Sequence, residues 1–360
     1  MLESLWKKIL RRERYSPWWL IMPLLWLAAA VYRLLSVLHR VRVRPVAASV
    51  PVISVGNITV GGTGKTPLVQ SLAVGMINEG VRVGIVSSGY GRRSTAPIIE
   101  PGYRLQQMNS LDTGDETKLL STLVPRAMFS IDNSKANAAI RLANSGEIDL
   151  IIVDDGFQHF ELQRDVDIVT FDAALSDRLL RPFPAGMCRE GMSSLKRADI
   201  LVITRAGFAT DLQELRQRLQ QAAPSAQHYS AQFQISELIG TQRSLPVKYL
   251  KDKSIFLFAG IGNFDVLRRE VDSHAGDLDG WLELSDHQEY SPELLDRIRE
   301  EAERYGSDLI VTTGKDWVKL NDFDFGRETY YLSQTIDLDP GEEKLIAALL
   351  HSLQLEGRRR

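Results

Sequence analysis

The stretch Val50-Pro-Val-Ile-Ser-Val-Gly-Asn-Ile-Thr-Val-Gly-Gly-Thr-Gly-Lys-Thr66 admits few folds. Val50 to Val55 is apolar and β-branched, which predicts a buried strand. A glycine-rich turn follows, then Lys65-Thr66, then a helical run from Pro67 to Asn78. Strand, glycine loop, Lys-Thr and helix together make a phosphate-binding P-loop unit. Gly61, Gly62 and Gly64 let successive backbone N–H groups converge on one anion. The helix adds its positive N-terminal end. Lys65 reaches toward β- and γ-phosphates, and the Thr66 hydroxyl suits Mg²⁺. The nucleotide-binding run is therefore Thr59, Val60, Gly61, Gly62, Thr63, Gly64, Lys65 and Thr66.

The loop departs from G-x-x-x-x-G-K-[ST], because its first glycine would fall on Thr59. As Gly-Gly-x-Gly-Lys-Thr it resembles the P-loop branch that includes dethiobiotin synthetase and the partitioning ATPases. Those ATPases carry a lysine before the double glycine. Val60 stands there instead, which counts against a dimeric ATPase switch.

The rest of the chain bounds the reading. Its 360 residues hold two or three domains of ordinary size. A net charge of −3 gives no nucleic-acid signal. Cys188 is the single cysteine, so no internal disulfide forms, which fits a reducing compartment.

Residues 1–45 differ from the rest. Lys7, Lys8, Arg11, Arg12 and Arg14 precede an apolar run from Pro17 to Tyr32, and Arg33, Arg40, Arg42 and Arg44 follow it. A cleaved signal peptide and a short or tilted span are both compatible with this pattern. The favoured reading is a helix or helix pair lying in the membrane interface. Trp18, Trp19, Trp26 and Tyr32 suit the headgroup boundary, and the cations suit anionic lipid. Pro23 is expected to kink or divide the helix.

Beyond the P-loop, Val81 to Ser88 reads as a strand ending in Gly89-Tyr-Gly-Arg-Arg93. The arginine pair could hold phosphate bidentately or be solvated loop charge. Residues 97–105 read as a small inserted hairpin. Thr113-Gly-Asp-Glu-Thr117 reads on its own as an N-cap with an acidic first turn. Leu150 to Val153 is a buried strand tipped by Asp154-Asp155, the Walker-B arrangement that holds Mg²⁺ directly or through water. Two adjacent carboxylates there are costly unless a cation neutralises them. His159 on the following turn is either a site residue or a hydrogen-bonded structural histidine. Asp165–Asp172 and Ala198–Thr204 read as strands, flanking a proline-rich loop over 181–190. Thr210–Ala222 reads as a polar helix. Strands alternating with helices imply a parallel sheet covered on both faces.

The C-terminal part repeats the alternation. Ser254–Phe258 and Asp308–Thr313 read as strands, Pro292–Tyr305 and Gly341–Leu353 as helices. Gly260-x-Gly262 is read as a tight turn between strand and helix, not a second nucleotide fingerprint.

These motifs, in this order, resemble the tetraacyldisaccharide 4'-kinase family, the lipid A 4'-kinases. The resemblance rests on Gly56-Asn-Ile-Thr-Val-Gly-Gly-Thr-Gly-Lys-Thr-Pro67, Gly89-Tyr-Gly-Arg92, Gly114-Asp-Glu116, Asp154-Asp-Gly-Phe-Gln-His159, Pro184-Ala-Gly186 with Arg189-Glu190, Ser285-Asp-His287 and Gly314-Lys-Asp316. It implies ATP and Mg²⁺ as cofactors, and transfer of the γ-phosphate to the 4'-hydroxyl of a tetraacylated glucosamine disaccharide 1-phosphate, giving lipid IVA. It implies Asp115 as catalytic aspartate, His287 as its partner and Lys65 as stabiliser of the transferring phosphoryl group. It places Thr66, Asp154, Asp155, Gln158 and Glu190 around the metal, and Asn57, Arg92, Glu116, His159 and Arg189 around the substrate. It also implies the cytoplasmic face of a bacterial inner membrane, peripherally or monotopically bound; the net charge speaks for no nucleic-acid partner, and no protein partner is evident in the sequence. Ser88, Thr117, Met187-Cys188, Gly191 and Gln288 depart from the family pattern without removing a proposed catalytic group.

The expected fold is α/β: a P-loop NTPase-type, mostly parallel sheet flanked by helices, a smaller C-terminal α/β domain and an N-terminal membrane-associated helix. The expected segments are 1–45, the kinase domain 46–240 and the C-terminal domain 241–360, with Lys65 and Asp115 in the former domain and His287 in the latter. The competing functions are a membrane-bound nucleotide switch and a soluble metabolic kinase or ligase. Val60 argues against the switch, and the Trp-rich apolar segment against the soluble enzyme.

Overall fold

The computed structural model describes residues 20–356 apart from 177, 178, 210, 263, 287, 321 and 322, together with Trp6 and Leu10. Among the described residues, the strands are β1 Val52–Asn57, β2 Val83–Ser87, β3 Ile98–Pro101, β4 Met128–Ile131, β5 Leu150–Asp154, β6 Val166–Asp172, β7 Ile200–Thr204, β8 Gln227–Ile239, β9 Ser244–Pro246, β10 Ser254–Ala259, β11 Asp277–Glu283, β12 Leu309–Thr313 and β13 Glu328–Asp339. The chain packs into two units. Unit 1 holds the described parts of Met1–Ser87, Ser134–Gln232 and Asp337–Arg360; unit 2 holds those of Ser88–Asn133 and Phe233–Ile336.

Unit 1 is built on parallel strands in the order β8-β7-β6-β1-β5-β2. Every residue of β1, β2, β5, β6 and β7 is buried, as unbroken apolar strands must be in a parallel sheet covered on both faces. The central strand is β1, whose Ile53 pairs with Ile152 of β5 on one side and Val166 of β6 on the other. Its C-terminal end delivers the glycine loop and the helix Lys65–Asn78. That helix buries Leu68, Val69, Leu72, Ala73, Met76 and Ile77. It also packs against the helix Glu342–Ser352 through Gly75, where a Cβ would stand 2.8 Å from Ile346 Cδ1. A second helix, Lys135–Asn144, is capped by Ser134, whose hydroxyl accepts from the Asn137 N–H.

Unit 2 carries the parallel set β11-β10-β12-β13. Leu257, Ala259, Val311 and Leu332 pack with Leu267 and Val271 of the helix Phe264–His274. Phe256, Phe258 and Ile310 pack with Leu295, Ile298 and Ala302 of the helix Pro292–Arg304. The hairpin expected over 97–105 does not form. Residues 98–101 are a single strand antiparallel to β4, and Gly102–Leu105 turn into helix. The backbone decides this: the Gly102 N–H donates to Ala127 O and the Tyr103 N–H to Pro125 O, so the pairing partner lies downstream.

The N-terminal helix is Met22–Arg42. Pro23 neither kinks nor divides it, because it occupies the first turn, where its missing N–H would have had no helical partner. The helix is long and apolar enough to cross a membrane by length and composition, and only about a tenth of its most apolar window is buried. It touches unit 1 through Met22 and Ala29 against Ala185, Tyr32 edge-on to Phe183 at 5.7 Å, and the Arg181 guanidinium 5.1 Å from the Trp26 ring. Leu20, Leu24, Leu27, Val31, Leu34 and Leu35 are exposed. An exposed apolar helix of this length points to membrane association. Trp18, Trp19 and the leading basic residues lie outside the described residues.

Candidate active site

The loop after β1 is held from inside by a hydroxyl relay. The Asn57 side-chain amide donates to Thr63 Oγ1 at 2.9 Å, Thr63 and Thr170 hydroxyls are 2.7 Å apart, and Thr170 donates to Gly56 O at 3.2 Å. A hydroxyl has one proton, so the chain runs in one direction, from Asn57 through Thr63 and Thr170 to Gly56. The Val60 N–H donates to Met187 O at 2.7 Å, and the Arg189 N–H donates to Ile58 O at 2.8 Å. Arg205 ties the tip, donating to Gly62 O at 2.6 Å and pairing with Asp172 at 3.0 Å. Gly61 and Gly64 have φ of 110° and 84°, a region that favours glycine, and Gly64 is the residue from which the helix Lys65–Asn78 starts.

At the tip of β5, Asp155 turns into left-handed backbone at φ 52°. Lys65 Nζ stands 3.4 Å from its carboxylate and Arg189 donates to it at 2.7 Å. Burial alone would raise the Asp155 carboxyl, but Lys65, Arg189 and Lys135 outweigh burial and hold it below the usual carboxylate range. Lys135 is itself buried. Its ammonium donates to the main-chain oxygens of Asp154 at 2.7 Å and Asp155 at 2.8 Å, bracing the turn from beneath. Burial lowers the Lys135 pKa, and Lys65 and Arg189 push the same way against Asp155 and Asp154.

Gln158 donates to Asn57 O at 2.9 Å and to Glu190 at 3.2 Å. Both oxygens of Glu190 accept from Arg197 at 2.8 Å, and the Arg197 guanidinium lies 4.2 Å from the Phe157 ring. Burial brings the His159 imidazole down to about 4, with Lys135 adding to the effect and Asp155 opposing it. The ring is therefore neutral near pH 7. Among the described residues no group of three or more His, Cys, Asp or Glu side chains is placed to hold a metal. Gln158 Oε1 and Asn57 Oδ1 are buried oxygens with no hydrogen-bond partner among the described residues, while Asp155 Oδ1 meets Lys65 Nζ at 3.4 Å.

In unit 2, Gly114 at φ 84° starts the helix Asp115–Leu123, putting Asp115 and Glu116 in its first turn. No side chain caps this helix, so the two carboxylates belong to the first turn and not to a cap. Lys319 Nζ lies 3.4 Å from Asp115 Oδ2. The Arg92 guanidinium turns back to its own loop and donates to Ala96 O at 2.7 Å. His287 lies outside the described residues.

A family model for tetraacyldisaccharide-1-P 4'-kinase matches residues 17–354. The chain belongs to this kinase family. A tetraacyldisaccharide 4'-kinase of Halothermothrix orenii is 34% identical over 315 residues, 81% of each chain. One from Geobacter metallireducens is 35% identical over 274 residues, 75% of this chain and 78% of its own. An LpxK from Aquifex aeolicus, solved in complex with ATP, matches with a TM-score of 0.72 at 26% identity, covering 92% of this chain and 98% of that one.

Among the residues of this 4'-kinase chain that escaped the sequence reading are Lys135, Thr170, Arg205 and Lys319. Thr170, Arg205 and Lys319 act through contacts more than a hundred residues away, and Lys135 on the backbone carbonyls 19 and 20 residues further on. Lys135 alone left a signal. A lysine at the first turn of a helix opposes the dipole, and such a placement asks for a nearby anion or acceptor.

Proposed function

We propose that this chain transfers the γ-phosphate of ATP to the 4'-hydroxyl of a tetraacylated glucosamine disaccharide 1-phosphate, giving lipid IVA. The observation that carries the proposal is the family match over residues 17–354, which takes in both the glycine loop and Asp115. The P–O bond to the β-phosphate breaks, the bond from O4' to phosphorus forms, ADP leaves and the hydroxyl proton passes to Asp115. Positioning and charge neutralisation supply most of the rate in such transfers.

The amides of Gly61–Thr66 wrap the phosphates, and Lys65 neutralises charge on the transferring group. Thr66, Asp154, Asp155 and Gln158 are oxygen donors suited to a hard divalent cation, and the orphaned Gln158 oxygen fits Mg²⁺. Bound there, Mg²⁺ would offset the negative charge of the β- and γ-phosphates. Glu190 serves that set through Gln158, while Arg197 holds it in place. The family resemblance assigns His287 as the partner of Asp115, and Asn57, Arg92, Glu116, His159 and Arg189 to the acceptor. The N-terminal segment lies in the cytoplasmic face of a bacterial inner membrane and brings the kinase to a substrate that hardly leaves the bilayer.

The test is transfer of labelled γ-phosphate from ATP-Mg²⁺ to tetraacyldisaccharide 1-phosphate in detergent micelles. Wild type should label the lipid. Lys65→Ala and Asp115→Ala should each lose on the order of 10²- to 10³-fold in kcat. Absence of transfer by folded, ATP-binding wild type would overturn the acceptor assignment.

A further inference from the structure

Gly314-Lys-Asp316 is a motif of this chain to which the nucleotide chemistry gives no task. It opens the short helix Gly314–Trp317, and Asp316 is fully buried. The Asp316 carboxylate accepts from the Gly260 N–H at 3.0 Å and from the Thr313 hydroxyl at 2.7 Å, so it is fixed from two segments. Three residues on, Lys319 is 8% exposed at its side chain. Its ammonium lies 3.4 Å from Asp115 Oδ2 and 3.6 Å from Asp316 Oδ1, and donates to Gln288 O at 3.0 Å. An ammonium has three N–H groups, and three acceptors from three parts of unit 2 surround this one. The Tyr290 ring lies 5.4 Å from Nζ.

We propose that Lys319, anchored by Asp316, is a positioning residue for Asp115 in phosphoryl transfer. The proposal rests on the role given to Asp115 above. A carboxylate that takes a proton at the transition state faces two opposed demands. It must be held in one orientation, which a cation does well. It must also stay basic, and a cation devoted to it alone would suppress that. Sharing one ammonium between two carboxylates meets both demands. Asp316 cannot give up its share, because it is buried and bonded to Gly260 and Thr313. When Asp115 accepts the substrate proton, Lys319 and Asp316 remain as a neutral pair, and no buried charge is left uncompensated.

The test uses the full chain in the micelle assay, with ATP-Mg²⁺ and tetraacyldisaccharide 1-phosphate. Lys319→Met should lower kcat on the order of 100-fold while KM for ATP stays within about threefold. Lys319→Arg should recover part of the loss, since the cation is restored. In the Asp115→Ala background, Lys319→Met should cost nothing further, because a residue acting through Asp115 has nothing left to position. Asp316→Asn keeps an acceptor for Gly260 and Thr313 but removes the shared charge. It should lower kcat about tenfold without moving KM for ATP, and it stands in if Lys319→Met does not fold. Wild-type kcat in Lys319→Met or in Asp316→Asn, beside an inactive Asp115→Ala, overturns the inference and leaves the kinase reading intact. So does a full additive loss in the double variant. Full activity in Asp115→Ala removes the role of Asp115 and the inference with it.

Discussion

Gly56 has no room for a side chain. A Cβ there would sit 2.6 Å from Phe157 Cβ and 2.8 Å from Phe157 N, and backbone cannot step aside as a flexible side chain can. Gly56→Ala should therefore lower stability by about 3 kcal/mol or more, read as a drop in the urea midpoint. Gly62, with nothing near its Cβ and no positive φ, should tolerate alanine as far as folding goes. Cys188 makes a second prediction at this scale. It is 1% exposed, and burial pushes its thiol up to about 12. Iodoacetamide at pH 8 should leave it unmodified in the native protein and alkylate it fully after denaturation, as mass spectrometry would show. Asp154-Asp155, ending an apolar run, and Lys65, closing the glycine loop, stand out in the sequence because the pattern changes at them. Lys319 does not, because a lysine on a turn reads as solvated until folding brings carbonyls and carboxylates around it, and Lys135 shows only as a cation in the first turn of a helix.

The buried parallel strands β1, β5, β6 and β7 were legible because each is a short run of apolar, largely β-branched residues. Strands β8 and β13 were not. They are 13 and 12 residues long and carry many polar residues, with the apolar ones only partly alternating. The N-terminal helix Met22–Arg42 carries this scale's prediction. Leu27 and Leu34 stand seven residues apart and are 64% and 60% exposed. Leu27→Asp with Leu34→Asp should reduce partition onto anionic phospholipid vesicles by on the order of 100-fold. The melting temperature should stay within about 2 °C, because exposed substitutions remove no packing. Loss of vesicle binding together with a large fall in melting temperature would mean that this face packs on protein.

At the scale of the molecule, the two units are interleaved along the chain. A fragment of residues 46–240 lacks the helix Glu342–Ser352 that packs on Lys65–Asn78, and it carries 88–133 away from 233–336. Such a fragment should show no cooperative thermal transition by circular dichroism. Removing residues from Gly341 onward should lower the melting temperature of the remaining chain by more than about 10 °C. A sharp transition in the fragment, or an unchanged melting temperature in the truncated chain, would show that unit 1 is complete without its C-terminal helix. Sequence patterns report neighbours along the chain, so the assignment of 88–133 and of the last helix to their units was not legible in them.

The packing of Gly75 on Ile346 has a consequence for the order of events during synthesis. Asn78 leaves the ribosome roughly 260 residues before Glu342 does. For all that time the face of the helix Lys65–Asn78 around Gly75 waits for its cover, while the apolar segment ahead of it is already free to meet a bilayer. Attachment to the membrane can thus precede completion of the nucleotide-binding unit, and the kinase would ripen in place.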